Sequence, residues 1–534
     1  MIWRQKLVAV LYLTFLLLFA AIGDGARAGG SLRTAGGAEP ETLDPTKAVG
    51  ALALHIGLDL FEGLTAYGSD GTVAPGIATS WETSPDGLRW IFHLRPDAKW
   101  SNGDPLTSED FLYAFRRRID PATAASYPHS AGMIVNAEDI IAGREKDPTR
   151  LGVEAPDAQT LIINLRNPVP SLLAQLTILS LPVHRKTIET YGAQWVRPGN
   201  IVSNGPFILT EWTPQVQLVL HRNPFYYAAD QVQPDEVHWT IVEDNETAWK
   251  QYRAGELDIS RLPETELAAA RKTYPGELHQ TAGLAIEALI FNMRVEPFAS
   301  NLKLRQALAL AIDRDVLNSK VVDPGGQIST ASFVPTMGTD YQPQVADYTK
   351  IPEQARVATA RKLMIEAGYP PDKPLRLTAT YPTSRGIKKR LQAIAAMWKQ
   401  ALGVDLTLQN HSWQTWLSTI KGGDFQLSWE QMVADIVDPL DFLRDYRSTS
   451  DEIDGAGYHN SAYDDLLAAA EAEPTPSRRT HLLEQAEHLL LNDTPLIPID
   501  NPLFGTLVSA RVTGWRDNII GLHPSRYLGI QAPK

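Results

Sequence analysis

Residues 375–409 constrain the fold more than any other stretch of this chain. Residues 375–381 read as a strand, residues 388–402 as a helix and residues 404–409 as a second strand. Gly403 stands between the helix and the second strand, the place of a left-handed cap residue. A strand, a helix and a strand at this spacing make a βαβ unit, with parallel strands and a right-handed crossover. Such a unit needs a sheet with helices packed on it. Strand-like and helix-like segments alternate through the rest of the chain too, without an internal repeat or a low-complexity linker. The expected class is therefore α/β.

Other elements are legible by the same periodicities. Leu302, Arg305, Ala309 and Ile312 recur at helical spacing across 301–312. A helix over 352–367 stops at Gly368, and one over 477–492 stops before Pro495. Short alternating strands are expected at 90–94, 161–165 and 218–221. The length of 534 residues suffices for three or four packed units at about 100–200 residues each. A hydrophobic share of 44% with 21% charged residues excludes a disordered chain and a membrane bundle.

The first residues are a separate object. Arg4 and Lys6 precede an apolar run from Leu7 to Ile22, and Ala26-Arg27-Ala28 follows. A basic start, a short apolar core and a small-x-small end are the parts of a secretory signal peptide. The run falls just short of the roughly 17 residues of the shortest membrane-spanning helix. Cleavage is expected to leave a soluble chain that begins near Gly29. Cysteine is absent, which excludes a lipid anchor, disulfides, thiolate metal sites and cysteine nucleophiles together. Loss of the leader removes three basic residues and one acidic residue, moving the net charge from −13 to −15. The densest basic runs, Arg116-Arg117-Arg118 and Lys388-Lys389-Arg390, are read as solvated helix faces. Nucleic acid is not an expected partner.

Motifs for chemistry are missing. The sequence has no Gly-rich phosphate loop, no Gly-x-Ser-x-Gly elbow and no His-Glu-x-x-His helix. Its twelve histidines are scattered, and His481 and His488 read as solvated residues on one helix. Asp435, Asp438 and Asp441 concentrate carboxylates, but Ile436, Val437, Pro439 and Leu440 between them do not fit a calcium loop. Neither an enzyme nor a cofactor is expected.

A long motif then narrows the class. It runs through Ala78-Thr79-Ser80-Trp81, Asp86-Gly87-Leu88-Arg89-Trp90-Ile91-Phe92-His93-Leu94-Arg95, Lys99-Trp100-Ser101-Asn102-Gly103 and Leu106-Thr107-Ser108-Glu109-Asp110-Phe111. It resembles the signature of the family 5 extracellular solute-binding proteins, which take up oligopeptides, dipeptides, nickel and murein peptides. Asn102 stands where that family usually has Asp. Leu43-Asp44-Pro45, Phe61-Glu62-Gly63-Leu64, Asn204-Gly205-Pro206-Phe207, the stretch from Tyr252 to Asp258, Arg305-Gln306-Ala307-Leu308 and Ala367-Gly368-Tyr369 match as well. The resemblance thus covers the mature chain, and it is nearest to the oligopeptide binders.

The resemblance implies a two-lobed periplasmic binding protein fold with a hinged cleft. The first lobe would comprise 29–61, 187–284 and 503–534, with an extra domain at 62–186. The second would comprise 285–502, βαβ unit included. It also implies a monomer in the periplasm that captures short peptides for the permease of an ABC importer. A peptide main chain needs a partner for each N–H and C=O, and an added strand supplies them. By resemblance those partners are strands at Ala48, Val49, Gly50 and Ala51 on the first lobe and from Gln431 to Val433 on the second. Gly50 suits close backbone approach and reads equally as a plain turn glycine. Asp435 falls where the family pairs the ligand's α-ammonium. Tyr127 matches a tyrosine at the ligand's amino end and Trp413 a tryptophan that walls a side-chain pocket. Either aromatic also reads as a core residue.

One departure bears on specificity. Positions where oligopeptide binders of this type meet the ligand carboxylate carry Val322, Ile387 and Trp429. The carboxylate is then expected to stay hydrated or to find another cation, with Arg385, Lys388 and Arg294 as candidates, while Ile387 and Trp429 offer apolar area. Alternatives to a peptide cargo are a murein peptide, a nickel chelate, haem or an opine-like compound. Scarce histidine and no cysteine count against a metal held directly by the protein. A peptide hydrolase lacks its machinery, and a sensory or chaperone-like role in the same fold would leave the same sequence.

Overall fold

The computed structural model describes residues 29–322, 327–434, 436–448 and 456–531, so the leader expected over 1–28 lies outside it. β1 (Ser31–Gly37) opens the described chain, and a loop leads from it to α1 (Ala51–Leu60). A separate antiparallel sheet follows, made of β2 (Ala78–Thr83), β3 (Arg89–Leu94), β4 (Val153–Asp157) and β5 (Thr160–Asn164) in the order β2-β3-β5-β4. α2 (Ser108–Ile119) covers it. A capping box between Thr107 and Asp110 starts this helix, and Phe111, Phe115 and Ile119 are its buried face.

The chain then returns to the main sheet. β6 (Phe207–Thr213), β7 (Gln217–Arg222) and β8 (Glu236–Ile241) form a meander, and β8 runs parallel to β1 with Thr34 opposite Trp239. β9 (Ile259–Arg261) flanks β1 on its other side, and β10 (Leu278–Ala282) follows.

β11 (Ala285–Phe291) opens the stretch expected as the second lobe, and every residue in it is buried. Alternate side chains point to opposite faces of a strand. Here Leu289 and Phe291 join one core with Leu391, Trp398 and Leu427, while Ile286, Ala288 and Ile290 join another with Phe333, Tyr446 and Leu483. One strand thus serves two cores, which is why it reads as a nearly unbroken apolar run. Next come α3 (Leu302–Leu310), β12 (Gln327–Ser329) and α4 (Glu353–Glu366). The βαβ unit then appears as β13 (Arg376–Pro382), α5 (Arg385–Leu402) and β14 (Asp405–His411), its strands parallel from Arg376 opposite Asp405 onward. Gly403 caps α5 with φ of 71°. The helix starts three residues earlier than expected because Ser384 caps it, accepting from the Ile387 amide at 3.4 Å. α6 (Trp413–Gly422), β15 (Leu427–Val433), α7 (Pro476–Asp493) and β16 (Leu496–Val508) complete the lobe.

β16 is shared between the lobes. Its first residues pair with β11 and β12, and its last with β10 and β9. The sheet therefore runs β14-β13-β15-β11-β16-β9-β1-β8-β7-β6 in one path. Where β16 crosses over, the Asn501 amide donates to the carbonyls of Gly283 and Ala285 at 2.9 and 2.7 Å, fixing it to the other crossing strand. The C-terminal segment returns to the first lobe. Ser525 donates to Asp59 through its amide and hydroxyl at 3.1 and 2.7 Å, and Arg526 pairs with Glu62. On the way, Ile519 and Ile520 pack on the second-lobe core.

Candidate ligand cleft

The second-lobe wall is an open strand edge. β15 pairs with β11 along its whole length, from Leu427 opposite Phe291 to Val433 opposite Ala285. On its other edge β13 reaches only Leu427 and Ser428. From Trp429 onward that edge has no strand partner among the described residues. A strand edge of this kind templates an added strand. Gln431 is exposed and Val433 is 61% exposed.

The first-lobe segment expected to pair with the ligand is a loop, where a strand was expected. Ala48, Val49 and Gly50 lie outside any strand, and Ala51 is the first residue of α1. The loop is pinned at its base. The amides of Lys47 and Ala48 donate to the Asp44 carbonyl, and buried Asp44 pairs with Arg117 at 2.5 Å. Ser126 donates its hydroxyl to the Lys47 carbonyl at 2.7 Å, which sets Tyr127 beside the loop. Gly50 has φ of 96° and ψ of 158°, a conformation essentially restricted to glycine, with nothing within 4 Å of where a Cβ would stand. Torsion, and not crowding, is the reason for glycine in this state.

Both aromatics project outward, which removes the core reading. Tyr127 is 58% and Trp413 62% exposed, and Val49 is 55% exposed. Trp413 heads α6, its ring 4.9 Å from that of Trp416, whose indole N–H donates to Ser428 at the start of β15. The ends of β13 and β14 meet there too, since the Thr383 hydroxyl donates to the His411 carbonyl at 2.9 Å. Arg385 and Lys388 are exposed in the first turn of α5, which follows directly. Arg294 lies against Gly423 and Gly457, at the other end of α6 from Trp413. Asp435 and the side chain of Val322 lie outside the described residues.

Two expectations about side chains fail. Trp429 is 1% exposed and belongs to the second-lobe core, so it offers no apolar area to a ligand. Ile387 is half-buried against the same core. The basic runs are not simply solvated either: Arg390 is 1% exposed, and Arg117 and Arg118 hold the loop around Asp44 and Pro45. The Arg390 Nε lies 3.5 Å from Glu287 and 3.8 Å from Asp500, with its guanidinium over the Trp429 ring. Gln431 donates to Glu287 at 3.3 Å. This buried ionic group supports the open edge from beneath, and the sequence reading missed it. A signal was present: Arg390 falls on the stripe that buries Leu391, Ile394 and Trp398.

Behind the Gly50 loop, burial and then the charge of Arg261 lower the pKa of His55 to about 3. Burial lowers that of His523 to about 4 and raises that of Asp59 to about 6. Among the described residues no group of three His, Asp or Glu side chains is placed to hold a metal ion. The arrangement has the means to bind a chain by its backbone between two walls.

Comparison with known proteins agrees. The model of family 5 of the bacterial extracellular solute-binding proteins, its middle region, matches residues 72–454. The periplasmic oligopeptide-binding protein OppA of Haemophilus influenzae is 36% identical over 487 residues, 90% of this chain and 89% of its own. Its crystal structure in complex with the peptide RPPGFSPFR superposes with a TM-score of 0.80 over 94% of this chain and 99% of that one. The probable deoxycholate-binding periplasmic protein YgiS of Escherichia coli is 36% identical, covering 86% of each chain. The E. coli murein tripeptide binding protein MppA has a TM-score of 0.81 at 33% identity, over 94% of this chain and 98% of its own.

Proposed function

The chain belongs to family 5 of the bacterial extracellular solute-binding proteins, and from that membership we propose that it captures short peptides in the periplasm and hands them to the permease of an ABC importer. The observation that carries the reading is the open edge of β15 at Gln431–Val433, flanked by exposed Trp413 and faced by a pinned loop with exposed Val49 and Tyr127. A peptide added to that edge exchanges its water hydrogen bonds for strand hydrogen bonds, so recognition needs no particular side chain. Asp435 pairs with the peptide's α-ammonium. The lobes, 29–61 with 187–284 and 503–534 against 285–502, close over the ligand about the crossing at Asn501, and the extra domain at 62–186 carries Tyr127.

The test is calorimetry with tri-, tetra- and pentapeptides, preceded by native mass spectrometry of whatever ligand co-purifies. Peptides with free amino ends bind and their N-acetylated forms bind far worse. Asp435→Asn weakens binding by about 2–5 kcal/mol, the usual loss on breaking one side of a buried charge pair. Equal affinity for acetylated and free peptides defeats the amino-group reading. An amphipathic carboxylate of the kind named for YgiS is the second reading, favoured by the four exposed apolar side chains. Its presence in the native mass spectrum replaces the peptide reading.

A further inference from the structure

The second-lobe positions at which a cation is missing are Ile387, Trp429 and Val322, and the first lobe holds a cation that has no ion pair among the described residues. Arg261 ends β9, opposite Thr506 of β16. Its guanidinium carbon sits 5.5 Å from the centre of the Phe504 ring. Phe504 in turn packs on Gly283, next to the crossing between the lobes. The side chain is exposed to solvent, yet enough protein surrounds it that desolvation lowers its pKa. Both hold at once for a group on the wall of a recess: solvent reaches it from one side only.

Other arginines of this kind are satisfied. Arg118, Arg305 and Arg314 also have pKa values lowered by burial. Arg118 donates to the Pro45 carbonyl, Arg305 to the carbonyls of Phe298, Asp493 and Thr494, and Arg314 to that of Pro498. Arg261 makes no ion pair and no side-chain hydrogen bond with any described residue. The nearby Asp258 is taken by Arg33 at 2.9 Å, with Arg511 at 3.6 Å, and Asp517 by His279 at 3.0 Å. The titratable neighbours that feel its charge are His55 and His523, both neutral above about pH 4. His55, which feels that charge, lies on α1, one turn past the Gly50 loop. A desolvated cation without a partner is unfavourable, and an ordered carboxylate is the ligand group that relieves it, with two parallel N–H···O bonds available to a guanidinium.

We propose that Arg261 is a specificity-determining residue that pairs with a carboxylate of the bound peptide, supplying from the first lobe the cation absent from the second. This rests on the peptide-binding reading above. The carboxylate has two sources, the peptide's C-terminus or an acidic side chain, and a panel of ligands separates them. It contains free tri-, tetra- and pentapeptides of alanine, their C-terminal amides, and amidated peptides with one Glu or one Gln. Calorimetry compares the native protein with Arg261→Gln, Arg261→Lys, Arg385→Gln and Lys388→Gln, and the melting point of each ligand-free variant verifies folding.

In the native protein, loss of the recognised carboxylate should weaken binding about tenfold or more, as for one side of a desolvated charge pair. Arg261→Gln should show that weakening for the free carboxylate ligand and no further effect of amidation or of Glu-to-Gln exchange. Arg261→Lys should retain part of the discrimination, and Arg385→Gln and Lys388→Gln should retain all of it. The inference is overturned if the native discrimination survives in Arg261→Gln, or if it disappears in Arg385→Gln or Lys388→Gln instead. Absence of binding to every peptide overturns the peptide reading and this inference together. Normal binding with unchanged discrimination in Arg261→Gln overturns this inference alone.

Discussion

In the first lobe, Ala48, Val49 and Gly50 form a loop held at its base by Asp44 and Ser126; in the second, Gln431 and Val433 belong to a strand bonded along its length to β11. The loop owes its shape to a few side-chain contacts and one glycine torsion. The strand owes its position to a sheet and to a buried ionic group beneath it. The first wall can therefore change sequence and shape at modest cost, while the second is fixed by the core it shares. Under the proposed function, the strand is the constant backbone template and the loop side the adjustable part.

That contrast is easiest to break at Arg390. Arg390→Met leaves Glu287 and Asp500 without their buried cation, and loss of one side of such a group costs about 3–5 kcal/mol. Urea unfolding should show this loss, with hydrogen exchange faster in β11 and β15. A change under ~1 kcal/mol would mean that the strand wall does not depend on its ionic base. A smaller effect belongs to the loop. Gly50→Ala forces a side chain into a backbone region reserved for glycine, at a cost on the order of 1–3 kcal/mol, with no clash to add. Thermal unfolding should fall accordingly and peptide affinity with it, whereas β15 should keep its exchange protection. Unaltered stability would mean that the loop relaxes freely.

The smallest effect is that of acid, and it should differ in sign between the lobes. His55 and His523 have folded pKa values of about 3 and about 4, below the ordinary value of 6.5. Their contribution to stability is complete above pH 6.5 and is lost as the pH falls towards 4. Asp59, raised to about 6, opposes them with one proton against their two. In the second lobe, burial raises the Glu487 pKa to about 7, so its contribution is complete below pH 4.5 and lost as the pH rises through 7. Between pH 6.5 and 5, hydrogen exchange corrected for the intrinsic rate should show α1 losing protection relative to α7. Equal changes in both would refute the assignment.

Much of the scaffold was legible because its signals are local. The βαβ unit follows from alternation, helical spacing and Gly403, and the strands at 90–94, 161–165 and 218–221 appear within a residue of their expected ends. What escaped depends on tertiary surroundings. Leu427, Ser428, Trp429 and Glu430 are all buried because the strand is covered on both faces, so alternation could not mark Trp429 as core. Arg390 was hidden in a run of charges whose neighbours do face water. Nothing in Ile259-Ser260-Arg261 singles out its arginine; only the absence of a partner among the described residues does. The segment at Ala48 was expected as a strand because a strand of ligand would lie against it, yet its backbone bonds locally, Ala48 to Asp44 and Leu54 to Gly50, and with no strand among the described residues.

The route of β16 also sets the order in which the molecule can be completed. Residues from 285 to 502 find their sheet partners among themselves, so that lobe can assemble as soon as this stretch is available. The other lobe cannot. Its β9 and β10 pair with residues 503–508, and Asp59 waits for Ser525, 466 positions further along the chain. Closing loops of such length is the slow part of folding, since their entropy must be overcome before the contacts form. The half that begins first along the chain is therefore the half that finishes last, and a chain cut short anywhere before residue 503 contains no complete version of it.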